Sequence, residues 1–283
     1  MNLFTKFFVA FSVWTVAFLS LATYAGGKAF ETDPQLVSKL EDKMNVSIRV
    51  GGVSKRFHRD SEMVNTQDTW NFAPPAEKMK IKLFAGNVSI KKSSGNEIKI
   101  TATGDLDKSR APRLLEAETT GNELKISEPE GDVVKKLDVH IEVPASFAQE
   151  LDVLTVSGNV TVENLNLDEL ELKTVSGDIA LNQISANKID MKSVSGNLNA
   201  EAASIKKLEG KSVSGNVAFA NSLPVDIDLT SVSGDVKMKL VKNDKTQFSL
   251  KSVSGDIKNA HGSNKNGNYN VKVSTTSGDI EIE

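Results

Sequence analysis

Oxygen-bearing side chains recur at one position of a repeated tetrapeptide, directly after a Ser-Gly pair. They are Asn159, Asp178, Asn197, Asn216, Asp235, Asp256 and Asp279. A row of such oxygens could bind calcium, but calcium-binding nonapeptide repeats need a GGxGxD pattern and several oxygen ligands for each ion. The exchange of Asn and Asp instead favours a turn in which the side chain bonds to backbone. We therefore expect no metal and no cofactor.

A second series of carboxylates could supply acid or base catalysis. It comprises Asp152, Glu171, Asp190, Glu209 and Asp228, and lysines follow two residues later at Lys173, Lys192 and Lys211. Catalysis needs a local cluster of groups, whereas this series is regular. The three histidines, His58, His140 and His261, lie far apart in the sequence, and cysteine is absent. We expect no enzymatic activity. Two interpretations of this series remain: a charged strip that binds a glycan or a cation, and a solvated sheet face.

The elements that position these side chains are repeats with a nearly fixed period. The repeated glycines are Gly158, Gly177, Gly196, Gly215, Gly234, Gly255 and Gly278, at intervals of 19, 19, 19, 19, 21 and 23 residues. One short structural unit per period is typical of a solenoid. We assign these glycines as structural turn residues, because a tight corner needs their conformational freedom.

Alignment of the repeats gives apolar columns that stacked coils would bury. The first column begins with Leu151, Leu170 and Ile189, and the residue two positions later is usually apolar as well. A valine precedes each Ser-Gly pair in six repeats, so we expect it in an internal stack too. On that basis Val194→Asp would destabilise severely, and each coil would bend near its fourth or fifth residue, where the apolar parity changes.

The sequence thus predicts an all-β fold. Residues 151–283 form a single-stranded β-solenoid of about seven coils of about 19 residues, and residues 76–150 form a β lead-in. The two longer intervals contain polar insertions at 243–245 and 261–270, which we expect to loop out as candidate contact segments. The final segment, Ile280 to Glu283, would leave an open strand edge for self-association at the end of the solenoid.

The N-terminus is typical of export. Residues 1–25 match a signal peptide, with Lys6 before an uncharged run at 7–22 and small residues before a cleavage point after Ala25. The run is shorter than the ~20 residues that span a bilayer, so we expect no stable transmembrane anchor after cleavage. Residues 26–75 are predicted to be a partly disordered linker with a short helix at 34–44 and a basic cluster at 55–60. The net charge of −3 argues against a nucleic-acid partner.

The repeated strings SVSGDI and TVSGDI, preceded by LDVHIEVP at 137–144, resemble a bacterial family of adhesin-like β-repeat domains of unknown function. The resemblance covers about Met79 to Glu283. It implies a β-solenoid on an exported or envelope protein, and it implies no catalytic residues.

Taken together, these features predict an exported, non-catalytic binding or adhesion-like protein in the periplasm, at the outer membrane or on the cell surface. Its partner would be a surface glycan or an envelope protein. The alternative is a structural or regulatory envelope-stress protein that self-associates, and a polysaccharide-acting enzyme is the less favoured third hypothesis. Solenoids present long regular surfaces, which suits the first hypothesis best.

Overall fold

The computed structural model describes residues 63–131, 133–221, 226–241, 245–262 and 267–283. The predicted signal peptide, the predicted helix at 34–44 and the basic cluster at 55–60 lie outside these residues. In the described part every regular element is a strand. They are β1 Met63–Phe72, β2 Lys78–Ser93, β3 Ile98–Asp107, β4 Glu116–Thr120, β5 Glu123–Ser127, β6 Val134–Pro144, β7 Glu150–Ser157, β8 Val160–Glu163, β9 Asn166–Ser176, β10 Ile179–Ser195, β11 Leu198–Ser214, β12 Val217–Asn221, β13 Asp226–Ser233, β14 Val236–Leu240, β15 Thr246–Ser254, β16 Ile257–Asn259, β17 Tyr269–Ser277 and β18 Ile280–Ile282.

The strands stack in parallel register, layer on layer. Leu151 pairs with Leu170, Leu170 with Ile189, and Ile189 with Leu208, so residues of one predicted column face each other across neighbouring strands. These side chains are fully buried, and the column two residues later is buried as well. The prediction of an all-β, solenoid-like fold is confirmed. We call each in-register level a layer and name it by its corner glycine.

The layers do not stack entirely in chain order. Strand β17 lies between β13 and β15, and β18 lies between β14 and β16. The Gly278 layer is therefore inserted between the Gly234 and Gly255 layers. The expectation that each coil stacks on the next is wrong at this point. The connection from the Gly234 layer to the Gly255 layer passes over one layer, and the next connection steps back from the Gly255 layer to the neighbouring Gly278 layer. The two glycine intervals longer than 19 residues fall at these two connections.

The C-terminal strand is consequently internal. Ile280 pairs with Val236 on one side and with Ile257 on the other. The predicted open edge at Ile280 to Glu283 is wrong, because β18 has partners on both sides. The edge strands of this end are β15 and β16.

The valines before the Ser-Gly pairs do not form an internal stack. The buried position is the one before them, held by Thr155, Thr174, Ser193, Ser212, Ser231 and Thr275. Alternation continues unbroken from the leucine column to this hydroxyl column, so Val156, Val175 and Val194 are half-buried on the outer side. The expected bend at the fourth or fifth residue is also wrong, because the chain turns at the Ser-Gly-Asn/Asp step.

The region before residue 151 contributes a layer of its own. Strand β2 pairs with β7 over 78–85 and with β8 over 88–91, which places Gly86 beside Gly158. Its other side pairs with β5 and β6. Strand β3 joins β6 in antiparallel orientation, and β1 joins β3. Strand β1 lies within the segment expected to be a linker, and its Trp70 is packed in the core.

Candidate functional site

The seven predicted turn glycines share one backbone conformation, with φ between 134° and 146°. At Gly196, whose φ is 143°, a β-carbon would lie 2.0 Å from the carbonyl oxygen of Gly177 in the neighbouring layer. Any side chain at this position would therefore separate the layers. The glycines form one row of close backbone contacts, so their role in the fold is geometric.

The Asn and Asp side chains after these glycines form a ladder of hydrogen bonds. The backbone N–H of Asp178 donates to Oδ1 of Asn159 at 2.9 Å, and the N–H of Asn197 donates to Oδ1 of Asp178 at 2.7 Å. The same bond recurs from Asn87 at the first layer to Asp279, which accepts from Asp256 at the last. Only an Oδ1 acceptor is used, and Asn and Asp both provide it. In the part of the chain that the structure describes, no three His, Asp or Glu side chains are grouped to hold a metal ion.

A second surface carries columns of acidic and basic side chains. We call it the charged face: the outward side chains of β7, β9 and β13 and of the segments of β10 and β11 in register with them. In it Asp152 lies beside Glu171, Glu171 beside Asp190, Asp190 beside Glu209, and Glu209 beside Asp228. Lys173, Lys192 and Lys211 form the adjoining column. The carboxylate and ammonium columns predicted from the sequence therefore exist side by side.

Ion pairs link the columns of the charged face. Lys192 Nζ lies 2.6 Å from Asp190 Oδ2, and Lys207 Nζ lies 2.6 Å from Glu209 Oε1. Lys173 pairs with Glu171, and Lys188 pairs with Glu169. The side chains of the Lys192–Asp190 pair are 25% and 10% exposed, so this pair is largely buried, whereas the Lys207–Glu209 pair is more exposed and stabilises by only about 0.2–1 kcal/mol. The in-register pairing of the strands sets the spacing between the charged side chains.

The pKa values of two neighbouring carboxyls of the charged face are shifted in opposite directions. Burial and the adjacent Glu171 raise the pKa of Asp152, although Lys78 and Lys80 oppose them. Burial acts in the same direction on Glu171, but the hydrogen bond and charge of Lys173 outweigh it and lower the pKa of Glu171. Asp152 is the more buried of the two, and the position equivalent to Lys173 beside it is Leu154, which carries no charge.

A shallow groove lies at the other end of the described fold. It encloses about 570 Å³ and is lined by Trp70, Arg113, Glu116, Glu118 and Lys125, among others. The Arg113 guanidinium lies 5.3 Å from the Trp70 ring centroid, within cation–π range. Sequence reasoning missed this groove, because Arg113 and Trp70 are 43 positions apart and no motif joins them.

Glu128 is another residue that the sequence did not single out. Its Oε1 accepts the backbone N–H groups of Phe84 at 3.0 Å and Ala85 at 2.9 Å. Burial raises the pKa of Glu128, and the two backbone hydrogen bonds oppose the shift. Glu128 thus satisfies donors at the corner of the first layer. No repeat contains it, so column alignment could not have found it.

The histidines do not join the acidic columns. His140 is exposed on β6, opposite Thr101. The ring of His261 lies 6.2 Å from that of Phe248 at the far end of the stack. His58 lies outside the described residues. The structure therefore brings neither His140 nor His261 to the charged face.

The predicted contact segments fall at the two connections on either side of the Gly255 layer, the first of which passes over a layer. Residues 242–244 and 263–266 lie outside the described part. Beside them, the Tyr269 N–H donates to the carbonyl oxygen of Lys245 at 3.1 Å, which ties the two connections together. No part of the described chain forms a helix able to cross a membrane.

A stack of parallel layers, with a continuous glycine corner and apolar columns inside, defines an all-β repeat protein of the solenoid-like class. Residues 76–283 match the family model Toastrack DUF4097, and the chain belongs to this family. No curated protein matches the chain.

Several solved structures are similar. A candidate adhesin from Bacteroides fragilis is 16% identical, with a TM-score of 0.47, over 77% of this chain and 97% of its own. A candidate adhesin from Parabacteroides distasonis is 16% identical, with a TM-score of 0.41, over 78% and 98%. A candidate lipid-binding protein from the same organism is 12% identical, with a TM-score of 0.37, over 77% and 96%.

Proposed function

We propose that this protein is an exported, non-catalytic binding protein whose charged face holds an extended partner, either a surface glycan or an envelope protein. The observation that carries the proposal is a column of carboxylates in register from Asp152 to Asp228, with a lysine beside it in the three middle layers. Layers of a parallel sheet are about 4.8 Å apart. A partner with a short repeat of its own can meet equivalent carboxylates along these five layers.

The chemistry of the charged face supports binding over catalysis. A general acid or base needs a partner group and a place for the reacting atom. Each carboxyl of the column is paired with a lysine, as Asp190 is with Lys192, and neither His140 nor His261 lies beside it. The intermixed signs also disfavour a nucleic acid, which would need a basic surface.

We further propose that the repeats of residues 151–283 act as one solenoid of about seven coils, preceded by the β lead-in of residues 76–150. In-register pairing from β7 through β17 supports a single continuous surface. A rigid surface of this kind binds without the cost of ordering a loop. The corner glycines would hold that surface in shape.

Export is the part of the proposal that rests on the N-terminus. Lys6 and the apolar run at 7–22 support a cleaved signal peptide, with residues 26–75 as the linker that follows. The mature protein would then lie in the periplasm, at the outer membrane or on the cell surface, without a transmembrane anchor. Cell fractionation and N-terminal sequencing of the purified protein test this, and an uncleaved chain in the cytoplasm would refute it.

The binding proposal is tested with the processed protein on a glycan array and on intact envelopes. The paired variants Glu171→Gln/Lys173→Gln and Asp190→Asn/Lys192→Gln remove two ion pairs while keeping the net charge. We expect at least a tenfold loss of affinity for whichever partner binds. The control is Lys237→Gln/Glu281→Gln on β14 and β18, beyond the corner, which removes the Lys237 ion pairs with Glu281 at 3.2 Å and with Glu283 at 2.8 Å and also keeps the net charge.

Equal losses in the control and the charged-face variants would refute the charged face as the binding site. Release of a shortened product from any polysaccharide would instead refute the non-catalytic assignment. The two outcomes are measured separately, by retention on the array and by chromatography of the supernatant.

The second candidate is a structural or regulatory envelope protein that self-associates. The observation in its favour is the edge of the last layer, where β15 pairs only with β17 among the described strands. Binding and self-association use different surfaces and are compatible. Light scattering on the purified protein distinguishes a self-associating protein from a strict monomer.

A further inference from the structure

The last layer leaves one row of backbone groups open. In the described chain β15 pairs with β17 and with no other strand, and β16 pairs with β18 and no other. The inner neighbour β17, in contrast, has β13 on its other side. Unpaired N–H and C=O groups along a strand are a template for another strand.

Apolar side chains accompany this open edge. Val253 is 76% exposed and Ile257 is 44% exposed, whereas Ile280, which pairs with Ile257 in the next layer, is 1% exposed. Phe248 and Leu250 of the inner column are only partly buried, although Val271 and Val273 beside them are buried. The apolar interior therefore reaches the end of the stack without a cover in the described residues.

The opposite end of the stack differs. Strands β5 and β6 cover β2, and β6 is followed by the antiparallel strands β3 and β1. The side chains along β1 include Asn65, Gln67 and Asp68, and β4 carries Glu116 and Glu118. Polar and charged edge strands resist pairing with another chain. Strands β1 and β4 are also edge strands in the described chain, but their polar side chains disfavour head-to-tail pairing, so we expect a second copy to meet the open end with its own open end.

The open edge is complementary to itself under a two-fold rotation. About an axis between Val253 and Ser254, Lys251 of one copy faces Asp256 of the other, and Leu250 faces Ile257. The first pair joins opposite charges, and the second joins two inner-side apolar residues. Two-fold related strands run antiparallel, which is a normal pairing for edges.

The Asn/Asp ladder ends at the same edge. Each member up to Asp279 accepts a backbone N–H from the next layer, and Asp256 is the last member. No further layer in the described chain donates to the Asp256 carboxylate. Its position leaves it available for a cation from outside the chain.

We propose that two copies of this protein pair through the β15–β16 edge into a closed, two-fold antiparallel dimer. The partner is a second copy, and association ends at two because the polar and charged edge strands at the other end of each stack resist pairing. This proposal goes beyond the binding function and does not depend on it, since the charged face and the edge can be altered separately.

Sedimentation equilibrium of the processed protein, from micromolar to millimolar concentration, tests the dimer. We expect a monomer–dimer equilibrium with no larger species. Lys251→Glu alone and Asp256→Lys alone should each weaken dimerisation at least tenfold by placing like charges together. The double variant Lys251→Glu/Asp256→Lys should restore it. Thermal unfolding of each variant monitors folding.

A monomer at every concentration would overturn the proposal, and so would open-ended polymers. A dimer that neither single variant weakens would overturn the proposed register. Capture of a different protein by the edge of a monomeric chain would overturn the choice of a second copy. The charged-face variant Glu171→Gln/Lys173→Gln should leave dimerisation unchanged, so failure of the binding proposal and failure of the dimer are separate results.

Discussion

The carbonyl oxygen of Gly177 occupies the place where a side chain on Gly196 would begin, since a β-carbon there would lie only 2.0 Å away. The φ of Gly196, 143°, is also one that other residues rarely adopt. Two independent effects therefore require glycine at this corner.

Gly196→Ala should consequently destabilise the protein by more than about 3 kcal/mol, because the backbone contact cannot relax without parting two layers. Gly121→Ala is the matched control: φ there is 61°, but a β-carbon would meet no atom within 4 Å, so the cost should be about 1 kcal/mol. Urea unfolding measures both. Similar losses for the two variants would contradict the role of the layer contact.

Thr174→Val should stabilise the protein by about 1 kcal/mol. The Thr174 hydroxyl is fully buried and has no hydrogen-bond partner among the described residues, so its desolvation is uncompensated. Thr275→Val is the control, because Thr275 Oγ1 donates to the carbonyl oxygen of Gly234 at 3.4 Å. We expect no gain there. A Thr174→Val variant less stable than the parent would show that the hydroxyl has a partner.

Val194→Asp should cost about 1 kcal/mol or less, since the side chain is half-buried on the outer side. Met191→Asp, in the same strand but pointing inward, should cost more than about 3 kcal/mol. Thermal unfolding followed by circular dichroism compares them. If the valine variant were the more damaged, the assignment of the two faces would be inverted.

Asp178→Ala should destabilise by about 1–2 kcal/mol, because the Asn197 N–H loses its acceptor. Asp178→Asn keeps Oδ1 and should unfold close to the parent. Both are measured with calcium and with a chelator. Stabilisation of the parent by calcium, lost in the Asn variant, would indicate that the turn carboxylates bind metal after all.

The raised pKa of Asp152 makes a prediction about pH. A carboxyl with a higher pKa in the folded state binds more protons there than in the unfolded chain, so its contribution to stability falls as pH rises above about 4. Asp152→Asn should remove this loss and be at least as stable as the parent at pH 7. The gain should shrink on acidification below pH about 4.

Asp228→Asn is the control for that experiment, since Asp228 stands in the same column with its side chain 45% exposed. We expect little change at either pH. An Asp152→Asn variant clearly less stable than the parent at pH 7 would show that the ion pairs with Lys78 and Lys80 outweigh burial.

The sequence alone determined the features that depend on short-range geometry. The corner glycines, the Asn/Asp position and the leucine columns recur in every repeat, because each layer meets the same steric and alternation requirements. The side-by-side acidic and basic columns followed from that register. The export signal at 1–25 and the predicted linker at 26–62 remain predictions, whereas residues 63–72 of the segment predicted as linker form β1.

Only the tertiary structure decided which face the valines take and how the last layers are ordered. Threonine can occupy a buried position in place of an apolar residue. Residue type therefore did not show that Thr174, and not Val175, points into the core. Neighbouring layers also present nearly identical columns, so pairing strength barely distinguishes β17 from β15 as the partner of β13. The order depends instead on long-range chain connection, which no single repeat encodes, and that order exposes the β15–β16 edge.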